Sequence, residues 1–224
     1  MKYKYELHCH TAQTSPCAAI DAKDAVEFYK SIGYSGMVIT DHYSFRTFGT
    51  ESSFKKQVDV ERFLDGHRTA LAAAGENFTV LLGMEIRFFA TTNDFLVYGI
   101  DEDFVCKSGN LLFKYPRRFY EAVKQNGGIV IQAHPFRKYV HRANPKYLDG
   151  CEIFNAKDRK KDYNQKAELW AREQDFRILT GGADFHRESQ KENAAGIITE
   201  EKIKSNADLL RILKSGEYKL NKFE

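Results

Sequence analysis

The amino-acid sequence predicts an α/β protein, a closed or nearly closed barrel of roughly seven strand–helix repeats forming a single domain over residues 1–224. Two patterns carry that expectation. Strand-like and helix-like runs alternate along the whole chain, which implies a parallel sheet, and roughly seven repeats imply a closed or nearly closed one. Several apolar runs also end in His, Asp or Glu, and α/β barrels gather their catalytic groups at the C-terminal ends of strands. The length suits one large domain with a proper core, small for a barrel but feasible.

The elements follow in order. Residues 2–6 are an aromatic, alternating run that reads as a first strand. It leads into Leu7-His8-Cys9-His10-Thr11 and a polar loop stopped by Pro16. Asp21 or Asp24 opens an amphipathic helix with Ala25, Val26, Phe28, Tyr29 and Ile32 apolar, ending near Gly33. Residues 36–40 are a short buried strand that ends in Asp41-His42, and residues 43–53 read as a loop. A longer helix covers 54–74, with His67 as an ordinary surface or packing histidine. Residues 78–86 form the third strand, carrying Glu85, and 94–100 the fourth. Residues 110–126 are helical, with Pro116 breaking the stretch or starting its main helix. Residues 129–135 form the fifth strand, ending in His134, and 150–155 the sixth. A helix spans 159–175. Residues 176–186 make the seventh strand, ending in Asp184-Phe185-His186. A short extended piece at 195–199, a helix over 200–215 and an edge strand at 218–220 close the chain.

Hydrophobic residues make up 42% and charged residues 29%, the balance of a soluble globular protein. No apolar run reaches membrane-spanning length, and the N-terminal residues lack a signal-peptide core. A cytoplasmic location is the expectation. A net charge of +3, with dispersed basic residues, gives no argument for nucleic acid. Cys9, Cys17, Cys106 and Cys151 lack Cys-x-x-Cys spacing and read as reduced thiols. Cys17, close to the proposed site, is a minor candidate for a soft ligand.

His8 and His10 project to the same side of a strand, roughly 6.6 Å apart, close enough to grip one ion from its end. A lone His-x-His is weak, but His8, His10, Asp41, His42, Glu85, His134, Asp184 and His186 all fall at strand ends. Such groups gain nothing from burial alone and need partners or a metal. Imidazoles and carboxylates on one rim suit two or three divalent ions, with Glu85 and Asp184 as natural shared ligands. Paired ions activate water and clamp the oxygens of an in-line displacement, which suits phosphate-ester hydrolysis. Arg137 and Arg187, each close behind a proposed ligand, are the candidates for holding phosphate oxygens. Gly181-Gly182 reads as a close approach of the strand to the site. The chain lacks the glycine-rich phosphate loop and the Gly-x-Ser-x-Gly elbow.

Taken together, His8-Cys9-His10-Thr11, Thr40-Asp41-His42, Gly83-Met84-Glu85, Ala133-His134-Pro135 and Ala183-Asp184-Phe185-His186 resemble the PHP (polymerase and histidinol phosphatase) superfamily, in its motif order. The resemblance spans residues 8–186 and implies a single PHP domain, a distorted seven-stranded (β/α)7 barrel of TIM-like type, with two or three bound Zn, Mn, Fe or Mg ions. It implies that His8, His10, Glu85 and Asp184 hold one ion, that Glu85 and His134 contribute to a second, and that His42 and His186 serve a third. Asp41 would support His42 from behind. Two positions depart from the family. A loop aspartate is replaced by Thr14-Ser15-Pro16, and a strand-start histidine by Asp94, which can ligate a hard ion.

The expected activity is metal-dependent hydrolysis of a small phosphorylated substrate, of sugar phosphate, nucleotide or histidinol phosphate type. A hydroxide activated on the ions would attack phosphorus. Asp184, His186 and His42 are the candidate catalytic groups, one of them protonating the leaving oxygen. Two alternatives stand beside this: an amidohydrolase-like hydrolase, which also begins with His-x-His, and a non-catalytic metal-binding module serving a partner.

Overall fold

The computed structural model describes residues 1–222. Its strands are β1 (Tyr3–Cys9), β2 (Gly36–Ile39), β3 (His42–Tyr43), β4 (Thr79–Leu82), β5 (Met84–Arg87), β6 (Asp94–Tyr98), β7 (Ile129–Gln132), β8 (Gly150–Asn155), β9 (Ile178–Gly182), β10 (Gly196–Thr199) and β11 (Tyr218–Asn221). Its helices are α1 (Ala22–Ser31), α2 (Phe45–Ser53), α3 (Val60–Ala74), α4 (Glu102–Lys107), α5 (Arg117–Gln125), α6 (Tyr163–Glu173) and α7 (Asn206–Ser215).

Among the described residues the architecture is mixed α/β, and the strands fall into two sheets where the sequence predicts one parallel barrel. The first has the order β11-β10-β1-β2-β4 and the second β3-β5-β6-β7-β8-β9. β1, β2 and β4 are parallel, as are β7, β8 and β9, but β6 runs antiparallel to both neighbours and β10 antiparallel to β1. The link from β5 to β6 is too short for the helical crossover that parallel strands need, so the chain turns back on itself. This reversal has a functional consequence. The start of β6 lies at the end of β5, with Asp94 opposite Arg87 in register.

The sheets meet at the C-terminal end of β1. Cys9 bridges to Phe185, with Phe185 N donating to His8 O at 3.1 Å and His10 N to Phe185 O at 2.9 Å. On the other side Gly83 N donates to Ile39 O at 2.8 Å and Glu85 N to Asp41 O at 3.0 Å, so pairing continues where the predicted third strand breaks into β4 and β5. Gly83 sits tightly at that break, since a Cβ would meet Val38 and Thr40 side chains.

Helix boundaries follow the caps. Asp21, not Asp24, caps α1 by accepting from Lys23 N at 2.8 Å. Asp59 caps α3 through Arg62 N, so the helix predicted over 54–74 starts six residues later, at Val60. Residues 43–53 are not a loop. Ser44 caps α2, which bends at Gly49 (φ 67°) and buries Thr47 and Phe48. Its Ser, Thr and Gly content conceals a helix that tertiary burial selects. α4, capped by Asp101, is also absent from the sequence reading. Pro116 does start the main helix of the 110–126 stretch, α5.

Gly182 packs tightly beside the site: a Cβ there would collide with the His8 Cβ and approach Glu6 Oε1. The approach of β9 to β1 therefore requires glycine. Gly182→Ala should destabilise the protein by about 1–3 kcal/mol through overpacking and push His8 out of place. A urea titration measures it; an unchanged midpoint would contradict the close approach.

Candidate metal centre

The structure brings the predicted donors together. They form overlapping groups, His8–His10–Glu85, His8–His134–Asp184, Glu85–Asp94–His134 and His10–His42–His186, within each of which the donor atoms lie within 4.8 Å of one another. His8 is in β1 and His10 just past it; His42 opens β3; Glu85 is in β5; Asp94 opens β6; His134 and Asp184 follow β7 and β9. All are buried except His42, which is partly exposed. His134 (φ 28°) and Asp184 (φ 54°) sit in left-handed backbone, a strained arrangement found where side chains must be aimed.

Glu85 is the hub. Its carboxylate lies 3.3 Å from His8 Nε2, 3.3 Å from His10 Nε2, 2.9 Å from His42 Nδ1 and 3.0 Å from His134 Nε2. Burial opposes its ionisation, but His8 and His42 outweigh that and hold it well below the usual carboxylate range. Asp184 lies 3.1 Å from His186 Nδ1, 2.7 Å from Arg137 and 3.5 Å from Lys157. It too is held low against burial, by Arg137, His8 and Lys157. His10 is the opposite case: burial, with His186 and His42 beside it, pushes the imidazole well below its ordinary value, so it is neutral and carries a lone pair.

Supporting contacts fix the rings. Glu152 Oε1 pairs with His8 Nδ1 at 2.7 Å, and its other oxygen accepts from His134 N at 2.9 Å and Asn155 Nδ2 at 3.0 Å. The sequence reading passed over Glu152, although a carboxylate inside the apolar run 150–155 needs a partner as much as Glu85 does. Glu6 is similar: Oε1 accepts from His8 N and Ala183 N, and Oε2 from Tyr29 Oη. Asp41 does not touch the His42 ring, contrary to expectation. Its carboxylate accepts from Thr11 N, Thr11 Oγ1 and Ser15 Oγ. Ser15 Oγ in turn accepts from His42 N at 2.9 Å and lies 3.3 Å from His10 Nδ1. Asp41 thus acts mainly on His10, through Ser15.

Of the two predicted phosphate ligands, Arg137 is largely spent on protein: Nε donates to Asp158 at 2.8 Å and Nη1 to Asp184 at 2.7 Å. Arg187 lines the cavity and donates to Cys17 O at 3.3 Å. Arg87, missed from the sequence, donates from Nε to Asp94 Oδ1 at 2.7 Å. His67 lies apart on α3, its Nδ1 3.9 Å from Glu102.

The donor set fits divalent cations. His8 Nε2, His10 Nε2 and His134 Nδ1 are buried without a hydrogen-bond partner. Leaving such atoms unsatisfied costs about 1–3 kcal/mol each, a penalty that a bound ion removes. Mixed imidazole and carboxylate donors accept several first-row ions. Ligating imidazoles are characteristically oriented by a carboxylate on the other ring nitrogen, as Glu152 orients His8. Glu152→Gln should weaken metal binding about 10–100-fold while leaving the fold intact. Competition against a chromophoric chelator reads this; wild-type affinity would remove Glu152 from the account.

No protein-family model and no curated protein sequence matches the chain. Solved structures do. A two-domain protein from Bacteroides vulgatus containing a predicted PHP-like metal-dependent phosphoesterase superposes with TM-score 0.64 at 14% identity, over 98% of this chain and 64% of that one. The fold is that of the PHP-like phosphoesterases. A protein from Bifidobacterium adolescentis assigned as a metal-dependent phosphoesterase matches with TM-score 0.54 at 17% identity, over 94% and 96% of the two chains. The lesion-specific endonuclease EndoQ from Pyrococcus furiosus matches with TM-score 0.61 at 11% identity, over 98% of this chain and 58% of its own. At these identities the PHP likeness is one of fold. The chain spans less than two thirds of the Bacteroides and Pyrococcus proteins. Among the described residues no helix is long and apolar enough to cross a membrane.

Proposed function

We propose that this chain is a metal-dependent phosphoesterase of PHP type, acting in the cytoplasm on a small phosphorylated substrate. The observation that carries the reading is one cavity of about 400 Å3. Glu85, Asp94, His134, Asp184, His42 and His186 line it together with the cations Arg46, Arg87, Arg137, Lys157 and Arg187. A cation-collecting floor under a cationic rim suits a phosphate ester, which must meet metal and positive side chains at once.

Two or three divalent ions (Zn, Mn, Fe or Mg) held by His8, His10, His42, Glu85, Asp94, His134, Asp184 and His186 would supply activated water and charge neutralisation. The protein does the rest. Arg187 and Lys157 bind the phosphoryl oxygens from the rim. Arg137, anchored on Asp158, holds Asp184 in one orientation and adds positive charge behind it. Glu152, Glu6 and the Asp41–Ser15 pair keep the His8 and His10 rings aimed without reorganisation. With two ions bound and the His10–His42–His186 position left free, His42 and His186, on the cavity wall, are the imidazoles that would give a proton to the leaving oxygen. Asp184 and His186 meet at 3.1 Å, so the carboxylate steadies that proton. Phe45 and Phe89, also on the wall, offer the leaving group an apolar surface.

Metal-depleted protein reloaded in turn with each ion, then assayed for phosphate release from an aryl phosphate, sugar phosphates, nucleotides and histidinol phosphate, tests this. Metal-dependent release from a small ester supports it. Because an endonuclease shares the fold, a single-stranded oligonucleotide belongs in the panel; cleavage of that alone would replace the small substrate with nucleic acid. Bound metal with no release from any member would favour the non-catalytic module.

A further inference from the structure

We propose that Phe45, Phe89, Phe54 and Phe113 form a stacking subsite running outward from the metal cavity, and that the preferred substrate is a phosphate ester whose leaving group carries a flat aromatic or heteroaromatic ring. The inference rests on the phosphoesterase reading above and narrows its substrate class.

The four rings come from three segments. Phe45 opens α2 and Phe54 closes it; Phe89 lies in the short link from β5 to β6; Phe113 ends the single turn Leu111–Phe113. Their neighbours in the chain show that the outward position is selective. Phe48 in α2 and Phe88 beside Phe89 are buried in the core, whereas Phe54, Phe89 and Phe113 are 58%, 42% and 50% exposed. Exposed apolar residues scattered singly need no explanation, but a contiguous group marks a binding surface. These are contiguous: Phe45 lies 5.7 Å from both Phe54 and Phe89, Phe54 5.6 Å from Phe89 and 6.0 Å from Phe113, and Phe89 5.3 Å from Phe113, centroid to centroid.

Backbone bonds hold the segments in place. Phe89 N donates to Leu112 O at 3.0 Å, and Asn110 N to Lys56 O at 2.9 Å. Asn110 Nδ2 donates to Ser53 O at 2.7 Å and to Lys55 O at 2.9 Å, next to Phe54. The rings therefore stand assembled before a ligand arrives, which lowers the ordering cost of binding.

Continuity with the cavity names the occupant. Phe45 and Phe89 belong to the cavity wall and to the exposed patch alike, and each has an arginine of the same wall beside it, Arg46 and Arg87. An ester whose phosphoryl group meets the cations and the metal floor must send its leaving group past these two rings, toward Phe54 and Phe113. Phenyl rings offer no hydrogen-bond partner to the hydroxyls of a sugar. They do offer faces and edges to another ring at the separations they already keep among themselves. Stacking on aromatic side chains also tolerates different ring systems, since every flat ring has a π-face.

Three esters of primary alcohols, sharing one kind of reacting bond, provide the test: naphthylethyl phosphate, its fully saturated counterpart, and glycerol phosphate. On metal-loaded wild type, kcat/KM for the naphthyl ester should exceed that for the saturated one by about 3- to 10-fold, mainly through KM. Phe54→Leu with Phe113→Leu keeps the apolar area and removes the rings, and should bring that ratio close to one. Phe54→Trp with Phe113→Trp should preserve it. Equal kcat/KM for the two matched esters, a preference for glycerol phosphate, or a ratio that survives the double leucine variant would overturn the subsite and leave the phosphoesterase reading standing. A wild-type dimer in sedimentation that Phe54→Asp dissolves would assign the patch to a second copy and overturn it too. No release from these or any other ester would overturn the phosphoesterase reading itself, and this subsite with it.

Discussion

Asp184→Ala is expected to strip metal from the protein and to lower kcat/KM for phosphate-ester hydrolysis at least ~1,000-fold, about 4 kcal/mol of transition-state stabilisation. The size follows from what Asp184 touches. It belongs to one donor group with His8 and His134 and lies within 3.6 Å of His10 Nε2. It also receives Arg137 at 2.7 Å and His186 at 3.1 Å. Its removal takes a shared ligand and releases the guanidinium that the carboxylate fixes. Asp184→Asn keeps the shape and loses the charge, and should lose nearly as much activity. His67→Ala is the control: a buried histidine outside every donor group, expected to leave metal content and activity unchanged. Elemental analysis and steady-state kinetics on the three variants decide. Full activity in metal-depleted Asp184→Ala would sink the mechanism.

Glu85→Ala should be as severe, and should affect more than one ion. This carboxylate lies within 3.3 Å of four imidazoles, His8, His10, His42 and His134. A carboxylate has two oxygens and can serve two ions at once, which an imidazole cannot. Glu85→Ala is therefore expected to lower stoichiometry by more than one ion per chain, where loss of a terminal ligand such as His186 removes one. Glu85→Gln, of the same size, distinguishes lost charge from lost packing. It should retain the wild-type urea midpoint within about 1 kcal/mol while losing metal. A Glu85→Gln protein that keeps its full complement of ions would show that Glu85 merely pairs with protonated histidines.

Much of the site was legible in the sequence because strand ends are legible. A buried apolar run ending in His or Asp is costly unless something pairs with the terminal group, and that cost is visible in one dimension. His8, His10, His134, Asp184 and His186 were found that way. Asp94 was placed as a strand-start residue, and the reversal of β6 explains why a strand start lies at the same end as the strand ends around it. What stayed hidden depended on contacts across long sequence distances. Arg87 reaches the cavity because β5 ends there, and the role of Asp41 runs through Ser15 rather than to His42. Cys17 reaches the cavity wall because a polar loop folds back onto the His186 backbone, through hydrogen bonds that composition does not reveal. The fold shows the same division. Most strands were found, but the division into two sheets was not, and the way the sheets meet, at Gly83 and the Cys9–Phe185 bridge, depends on long-range contacts. α2 was read as loop because its Ser, Thr and Gly residues carry weak helical preference.

The central claim is that the buried histidines and carboxylates exist to hold metal. The most direct test is the number of ions retained per chain, by elemental analysis after loading with zinc or manganese and removal of excess. Two or three ions on the wild-type protein, and fewer on Asp184→Ala, is the predicted result. A wild-type protein that retains no ion under any loading condition would contradict the account, and would make the cluster a network of buried ion pairs instead.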